Sequence, residues 1–217
     1  MPETDTSPPL NTKGKLRVQK VVGNFMYYGR ALDMTILAAL IKFSGEQINS
    51  TENTMKKVEK LLEYMATNTD AVIRYYASAM ILNVHSDASY MAASKARSRA
   101  CGHFLLGSIT FDGEPIVLNG AILTLSTILK CVAASVVKAE LGALFLNAME
   151  VKILRITLEE LGYPQPPTPI HCDNTTSVGI VNSSIKRQIS RAINMRDFWL
   201  LCHQAQYILH GRYHTGQ

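Results

Sequence analysis

Three carboxylates in this chain stand at the edges of apolar segments rather than on solvated faces. Asp87 closes the run at 80–85 after Ser86, Glu140 falls in the first turns of a long helical pattern, and Asp173 closes the short run 169–172. An Asp that ends a strand more often serves a turn or cap, so the reading comes from the three taken together. If the strand ending at Asp87 pairs beside the strand ending at Asp173, with the helix across their ends, the three side chains converge. Such a cluster repels itself unless cations sit in it. Two Mg²⁺ ions, or Mn²⁺ in their place, about 3.5–4 Å apart offset that repulsion and suit phosphodiester hydrolysis, one activating water and the other steadying the leaving oxygen.

Other reactive side chains fall around these positions. His85 and His171 each precede an Asp by two residues. Residues two apart on a strand share a face, which places both imidazoles beside the acidic cluster where they could tune it; ordinary hydrogen-bonded histidines are the commoner case. His85, His103, His171 and His203 form no i, i+4 pair on one helix, and Cys101, Cys131, Cys172 and Cys202 include no close pair, so a structural zinc site is not expected. The cysteines read as buried free thiols of a reducing compartment. Lys95, Arg97 and Arg99 follow the first strand, and Lys186, Arg187, Arg191 and Arg196 precede the last helix. Charge runs are usually solvated, yet both flank the carboxylates and are placed to hold phosphates. Trp199, Phe198 and Tyr207 recur at helical spacing and read as core rather than as a base-stacking platform.

The elements that must position these residues are legible from periodicity and punctuation. Residues 1–14 are polar and Pro-rich, a composition expected of a disordered tail. Residues 16–43 carry Val18, Val21, Val22, Phe25, Met26 and Tyr28 at three- and four-residue steps, predicting a helix, and a second helix starts at Ser50 or Thr51. From 71 the pattern turns to strands: 71–76 alternates, 80–85 is apolar, and 102–110 and 115–125 read as two strands joined around Asp112-Gly113, giving antiparallel neighbours. A helix over 135–161 presents Leu141, Leu144, Phe145, Ala148, Val151 and Leu154 inward and ends at Gly162 and Pro164. A strand at 169–172, a short helix at 177–181, a helix at 195–209 and a strand at 211–214 complete the order.

At 217 residues and 47% hydrophobic composition the chain can form one full domain and a smaller piece. A net charge of +5 favours a polyanionic partner. The apolar stretch 120–137 is interrupted by Lys130 and hydroxyl residues and reads as strand and helix entrance rather than a membrane span. The N-terminus has neither the basic nor the apolar region of a secretory signal, so an intracellular location is expected.

The words around the carboxylates resemble a known family. Asn83-Val-His-Ser-Asp87-Ala-Ser-Tyr90 with Lys95-Ala-Arg-Ser-Arg-Ala-Cys-Gly-His-Phe104 is similar to the first strand and hairpin of copia-type retrotransposon ribonuclease H domains. Val132-Ala-Ala-Ser-Val-Val-Lys-Ala-Glu140 is similar to the helix entrance that presents the family's catalytic Glu, and Ile170-His-Cys-Asp173-Asn-Thr to its third carboxylate motif. Arg191-Ala-Ile-Asn-Met-Arg-Asp-Phe-Trp199 and Arg212-Tyr-His-Thr-Gly216 complete the order, so the likeness runs from about residue 17 onward. The resemblance implies that Asp87, Glu140 and Asp173 ligate two Mg²⁺ or Mn²⁺ ions in a ribonuclease that cuts the RNA strand of RNA:DNA hybrids. It implies that His214 assists product release, and that Lys95, Arg97, Arg99, Asn174, Lys186, Arg187 and Arg191 meet the hybrid by its shape and 2′-hydroxyls rather than its bases.

The departures from the family also set expectations. Its fourth carboxylate lies several residues after a Tyr-His-Pro-Gly stretch, beyond Gln217, so hydrolysis is expected to be impaired; Asp197, beside Arg196 on a helix, reads as solvated rather than as a replacement. Thr215 stands where Pro is usual, and Val-Val-Lys-Ala-Glu140 where Ser-Thr-Glu-Ala-Glu is usual. No Tyr-x-Asp-Asp motif occurs, so polymerase activity is expected to be absent. The expected fold is α/β, a ribonuclease H-like mixed sheet of about five strands flanked by helices. Residues 1–14 would be a tail, 15–70 a small helical unit resembling a reverse transcriptase connection, and 71–217 the ribonuclease H-like domain. The expected partners are an RNA:DNA hybrid and the rest of a Pol polyprotein, with no membrane. The alternative is a catalytically inactive retroelement fragment that only binds nucleic acid or a protein.

Overall fold

In the computed structural model residues 5–93, 96–108, 117–130, 133–182, 195–205 and 209–213 are described. They fall into two compact units, Met1–Ile73 and Arg74–Gln217.

The first unit packs three helices, α1 (Thr12–Ala31), α2 (Leu37–Glu46) and α3 (Glu52–Thr67), around Val18, Val22, Ile36, Leu40, Phe43 and Val58. The single helix expected over 16–43 is broken. The Asp33 carboxylate accepts the backbone N–H of Thr35 at 3.0 Å and starts a 3₁₀ turn, Met34–Ile36, so the chain changes direction between α1 and α2. Gly29 permits their approach, since a Cβ there would lie 2.9 Å from Leu40 Cδ1. Thr51 caps α3 in a capping box with Thr54. The stretch expected to be a tail is tied down where it is described. Leu10 N–H donates to the Ser50 carbonyl at 3.0 Å, Pro8 accepts from Glu52 N–H at 2.9 Å, and Asp5 accepts from the Thr51 hydroxyl at 2.6 Å. Polar composition there supplies caps for α3 rather than disorder.

The second unit holds a sheet of β1 (Ile81–Ala93), β2 (Arg97–Gly107), β3 (Ala121–Ile128), β4 (Thr168–Cys172) and β5 (Leu209–Tyr213), with α4 (Val136–Glu160), α5 (Thr175–Val181) and α6 (Met195–Ala205). The strand order is β3-β2-β1-β4-β5. β1, β2 and β3 are antiparallel neighbours, as their spacing predicts, whereas β1–β4 and β4–β5 are parallel. Leu82, Val84, Phe104, Ile170 and Cys172 pack with Leu141, Leu144, Ala148 and Val151 of α4 into one buried cluster.

Some boundaries differ from the sequence reading. Residues 71–76 form no strand: Tyr76 N–H goes to the Asn119 side chain at 2.8 Å and Tyr75 donates its hydroxyl to the Ala121 carbonyl, so side chains replace a ladder there. β1 does not stop at Asp87 but continues to Ala93, with an irregularity between Ser89 and Ala93 where Met91 adopts φ 53°. α6 ends at Ala205, and the last strand starts earlier, at Leu209. The Asp112-Gly113 turn lies outside the described residues. At α4 the punctuation holds: Ser135 accepts from Lys138 N–H, and Gly162 at φ 89° supplies the left-handed residue that ends the helix.

Candidate active site

The site is made by two strands of unequal length. β1 and β4 run parallel through the pairs Val84–Ile170 and His85–His171, but β4 ends at Cys172 while β1 continues. Past that end the Ala88 N–H has no β4 residue to donate to, and a backbone donor left dry is costly. The Glu140 carboxylate takes this hydrogen bond, entering from the first turns of α4. The Cys172 thiol donates to the same carboxylate, Sγ to Glu140 Oε2, at 3.7 Å. One residue on, Asp173 carries its own carboxylate into the gap, and ligand atoms of Glu140, Cys172 and Asp173 all lie within 4.8 Å of one another.

The electrostatics follow from that crowding. Glu140 is 3% exposed, and burial, then the charges of Asp87 and Asp173, push its carboxyl up to about 7. Burial also pushes the Cys172 thiol up to about 12, with the Glu140 and Asp173 charges adding to the rise. Asp87 and Asp173 themselves are exposed. Burial and the two neighbouring charges thus disfavour the ionised form of Glu140 unless positive charge compensates it.

Two further interactions hold the elements that carry these groups. Two turns after Glu140, the buried Asn147 donates to Ser86 Oγ at 2.8 Å and to the Cys101 carbonyl at 2.9 Å, fixing the rotation of α4 over β1 and β2. Gly102 makes that approach feasible, because a Cβ there would stand 2.0 Å from Asn147 Oδ1. At the other end of β4, Gln165 accepts from Leu82 N–H at 2.9 Å and donates to the Met80 carbonyl at 2.9 Å, prolonging the β1–β4 pairing with a side chain. Arg155 of α4 donates to the carbonyls of Gln165 and Pro166 and to Thr168 Oγ1, so the segment entering β4 is bound to the helix that carries Glu140.

Of the residues singled out in the sequence, Glu140 and Asp173 come together directly, and Asp87 acts on Glu140 through its charge. Cys172 joins them unforeseen; its neighbour Asp173 and a word in which a thiol precedes a carboxylate were the available signal. The His85 and His171 rings stack at 5.1 Å, in strand register, and His85 shares a face of β1 with Asp87; β4 ends at Cys172, so the alternation does not carry on to Asp173. His103 faces His85 from β2, and burial pushes its pKa down. Asn174 accepts from Ser177 N–H at 2.9 Å and so caps α5. Arg97 is exposed and Arg99 half-buried on β2, opposite Ala93 and Ser89. Lys95, Lys186, Arg187, Arg191 and His214 lie outside the described residues. Trp199 meets Phe145 edge-on at 5.3 Å and stacks on His203 at 3.7 Å, which makes it core. Among the described residues no helix is long and apolar enough to cross a membrane.

Comparison with known proteins agrees with the motifs. No family model matches the chain. Over 186 residues, 86% of the chain, it is 26% identical to the retrovirus-related Pol polyprotein from transposon TNT 1-94 of Nicotiana tabacum, a copia-type element, and it spans 13% of that polyprotein. The structure of the foamy viral protease-reverse transcriptase in complex with double-stranded DNA matches 96% of the chain and 42% of its own length, at TM-score 0.51 and 13% identity. LC11-RNase H1 in complex with an RNA/DNA hybrid matches 61% of the chain and 84% of its own length, at TM-score 0.42 and 10% identity. The five-stranded mixed sheet with its flanking helices has the ribonuclease H-like fold.

Proposed function

We propose that the second unit hydrolyses the RNA strand of an RNA:DNA hybrid, using divalent cations held by Asp87, Glu140 and Asp173, as part of a retroelement Pol polyprotein. The observation that carries this reading is the Glu140 carboxyl, buried where β1 runs on past the end of β4 and raised by that burial and by the charges of Asp87 and Asp173. Three acidic groups so placed are electrostatically incomplete without positive charge. Two carboxylate oxygens and an exposed third acid suit hard cations such as Mg²⁺ or Mn²⁺. Bound there, such ions would activate water and stabilise charge on the leaving oxygen. The chain's own residues do the rest. Asn147 and Ser86 hold α4 so that Glu140 faces the gap, Gln165 and Arg155 hold β4 so that Asp173 does, and Arg97 and Arg99 supply positive charge for backbone phosphates.

The test is incubation of the purified protein with Mg²⁺ or Mn²⁺ and an end-labelled hybrid. Fragments of the RNA strand are expected, and Asp87→Asn should abolish their release while leaving hybrid binding in place. Absence of cleavage with either ion, or cleavage that survives Asp87→Asn, overturns the proposal; binding without cleavage would favour a nucleic-acid-binding fragment.

A further inference from the structure

Cys172 is an odd neighbour for a site meant for hard cations. Its side chain is 1% exposed, its sulfur points at Glu140 Oε2, and Asn174 N–H approaches the same sulfur at 3.5 Å. Hard, oxygen-preferring ions make no use of a thiol, whereas Zn²⁺ and Cd²⁺ favour it.

We propose that Cys172 is itself a metal ligand, and that with Glu140 and Asp173 it binds a thiophilic divalent cation of the Zn²⁺ or Cd²⁺ class. The inference rests on the reading of the strand gap as a cation site and specifies which ions hold it most tightly. Geometry supports it. With Zn–S near 2.3 Å and Zn–O near 2.0–2.2 Å, a tetrahedral ion spans sulfur and oxygen about 3.5 Å apart. The Sγ–Oε2 separation is 3.7 Å, and the third ligand atom lies within 4.8 Å of both. An octahedral Mg²⁺ needs oxygen pairs only about 3 Å apart. With three protein ligands, a tetrahedral ion would keep its fourth position for water. On binding, the thiol proton passes to solvent and the sulfur ligates as thiolate. A soft ion seated there occupies Glu140 and Asp173, so it competes with the ions of the hydrolytic reading.

The experiment titrates Cd²⁺ into the full-length, chelator-stripped protein and follows the ultraviolet thiolate-to-metal charge-transfer band. One Cd²⁺ per chain is expected. The band should vanish in Cys172→Ser and persist in Cys101→Ser and Cys202→Ser, and Asp173→Asn should weaken binding by about tenfold or more. No band in the parent protein, or an undiminished band in Cys172→Ser, overturns the proposal. Should Cys172→Ser lose the parent far-ultraviolet circular dichroism, Asp173→Asn decides, since its exposed side chain is dispensable for packing: unchanged Cd²⁺ affinity there overturns the proposal as well. The titration contains no hybrid, so hydrolysis can fail while Cd²⁺ binds, and Cd²⁺ can fail to bind while Mg²⁺-dependent cleavage proceeds.

Discussion

Gly102 of β2 lies against Asn147 of α4 so closely that a Cβ on the glycine would overlap the amide oxygen at 2.0 Å, with Phe104 Cε2 at 2.9 Å behind it. Neither neighbour can withdraw cheaply. Asn147 is buried and bonded to Ser86 and to the Cys101 carbonyl, and Phe104 is core. Gly102→Ala is therefore expected to cost roughly 1–3 kcal/mol, the usual range for an overpacked contact. Urea denaturation checks it; an unchanged midpoint would contradict the close approach.

Gln165 offers a second test. Gln165→Ala leaves Leu82 N–H and the Met80 carbonyl without their partner, at a cost of about 1–3 kcal/mol. The effect should be local first: the Leu82 amide is expected to exchange hydrogen faster than in the parent, while amides of α3 in the other unit keep their rates.

Glu140 gives the stability a pH dependence of unusual sign for a carboxyl group. Its folded-state pKa, about 7, lies above the ordinary 4.5, so between these values the folded protein binds more protons than the unfolded chain. The contribution is fully present below about 4.5 and is lost as the pH rises through 7, a decline on the order of 1–3 kcal/mol. Denaturation of metal-free protein at a series of pH values should show it, and Glu140→Gln should flatten the curve. Divalent ions are expected to reverse the trend near pH 7, adding about 2.7 kcal/mol at a hundred times their Kd.

In the first unit, Thr51 caps α3 through Thr54 N–H and also donates to Asp5. Thr51→Ala is expected to cost about 1 kcal/mol, the usual price of an N-cap. Thermal melts monitored by helix content would record it, and no change would mean that Asp5 and Ser7 cap the helix unaided.

Much of the fold is written locally. α4 begins after a Ser that can cap it and ends at a Gly that can turn left-handed, so its limits are visible in the sequence. The three acidic positions are likewise visible, because each interrupts or closes an apolar pattern. The course of β1 beyond Asp87 is not. Ala88 and Ser89 have weak strand preference, and it is pairing with β2 that keeps them extended, the ladder resuming at Ala93. The break between α1 and α2 depends on the Asp33 carboxylate, which accepts from both the N–H and the hydroxyl of Thr35 inside an otherwise continuous apolar period. Asn147 and Gln165 were hidden for a related reason: a single amide looks ordinary until the groups it satisfies, distant in sequence, are known. Cys172 resembled any core residue, and only the approach of α4 gives it a carboxylate neighbour.

The five residues of β4 are buried throughout and alternate between two environments, Ile170 and Cys172 toward α4, His171 beside His85. A slide of one residue along β1 would turn the thiol away from Glu140 and drive an imidazole into the apolar layer. The length of the segment from Gly162 to Pro167 thus works as a ruler: inserting or deleting a single residue there would scramble the ligand set without touching any ligand.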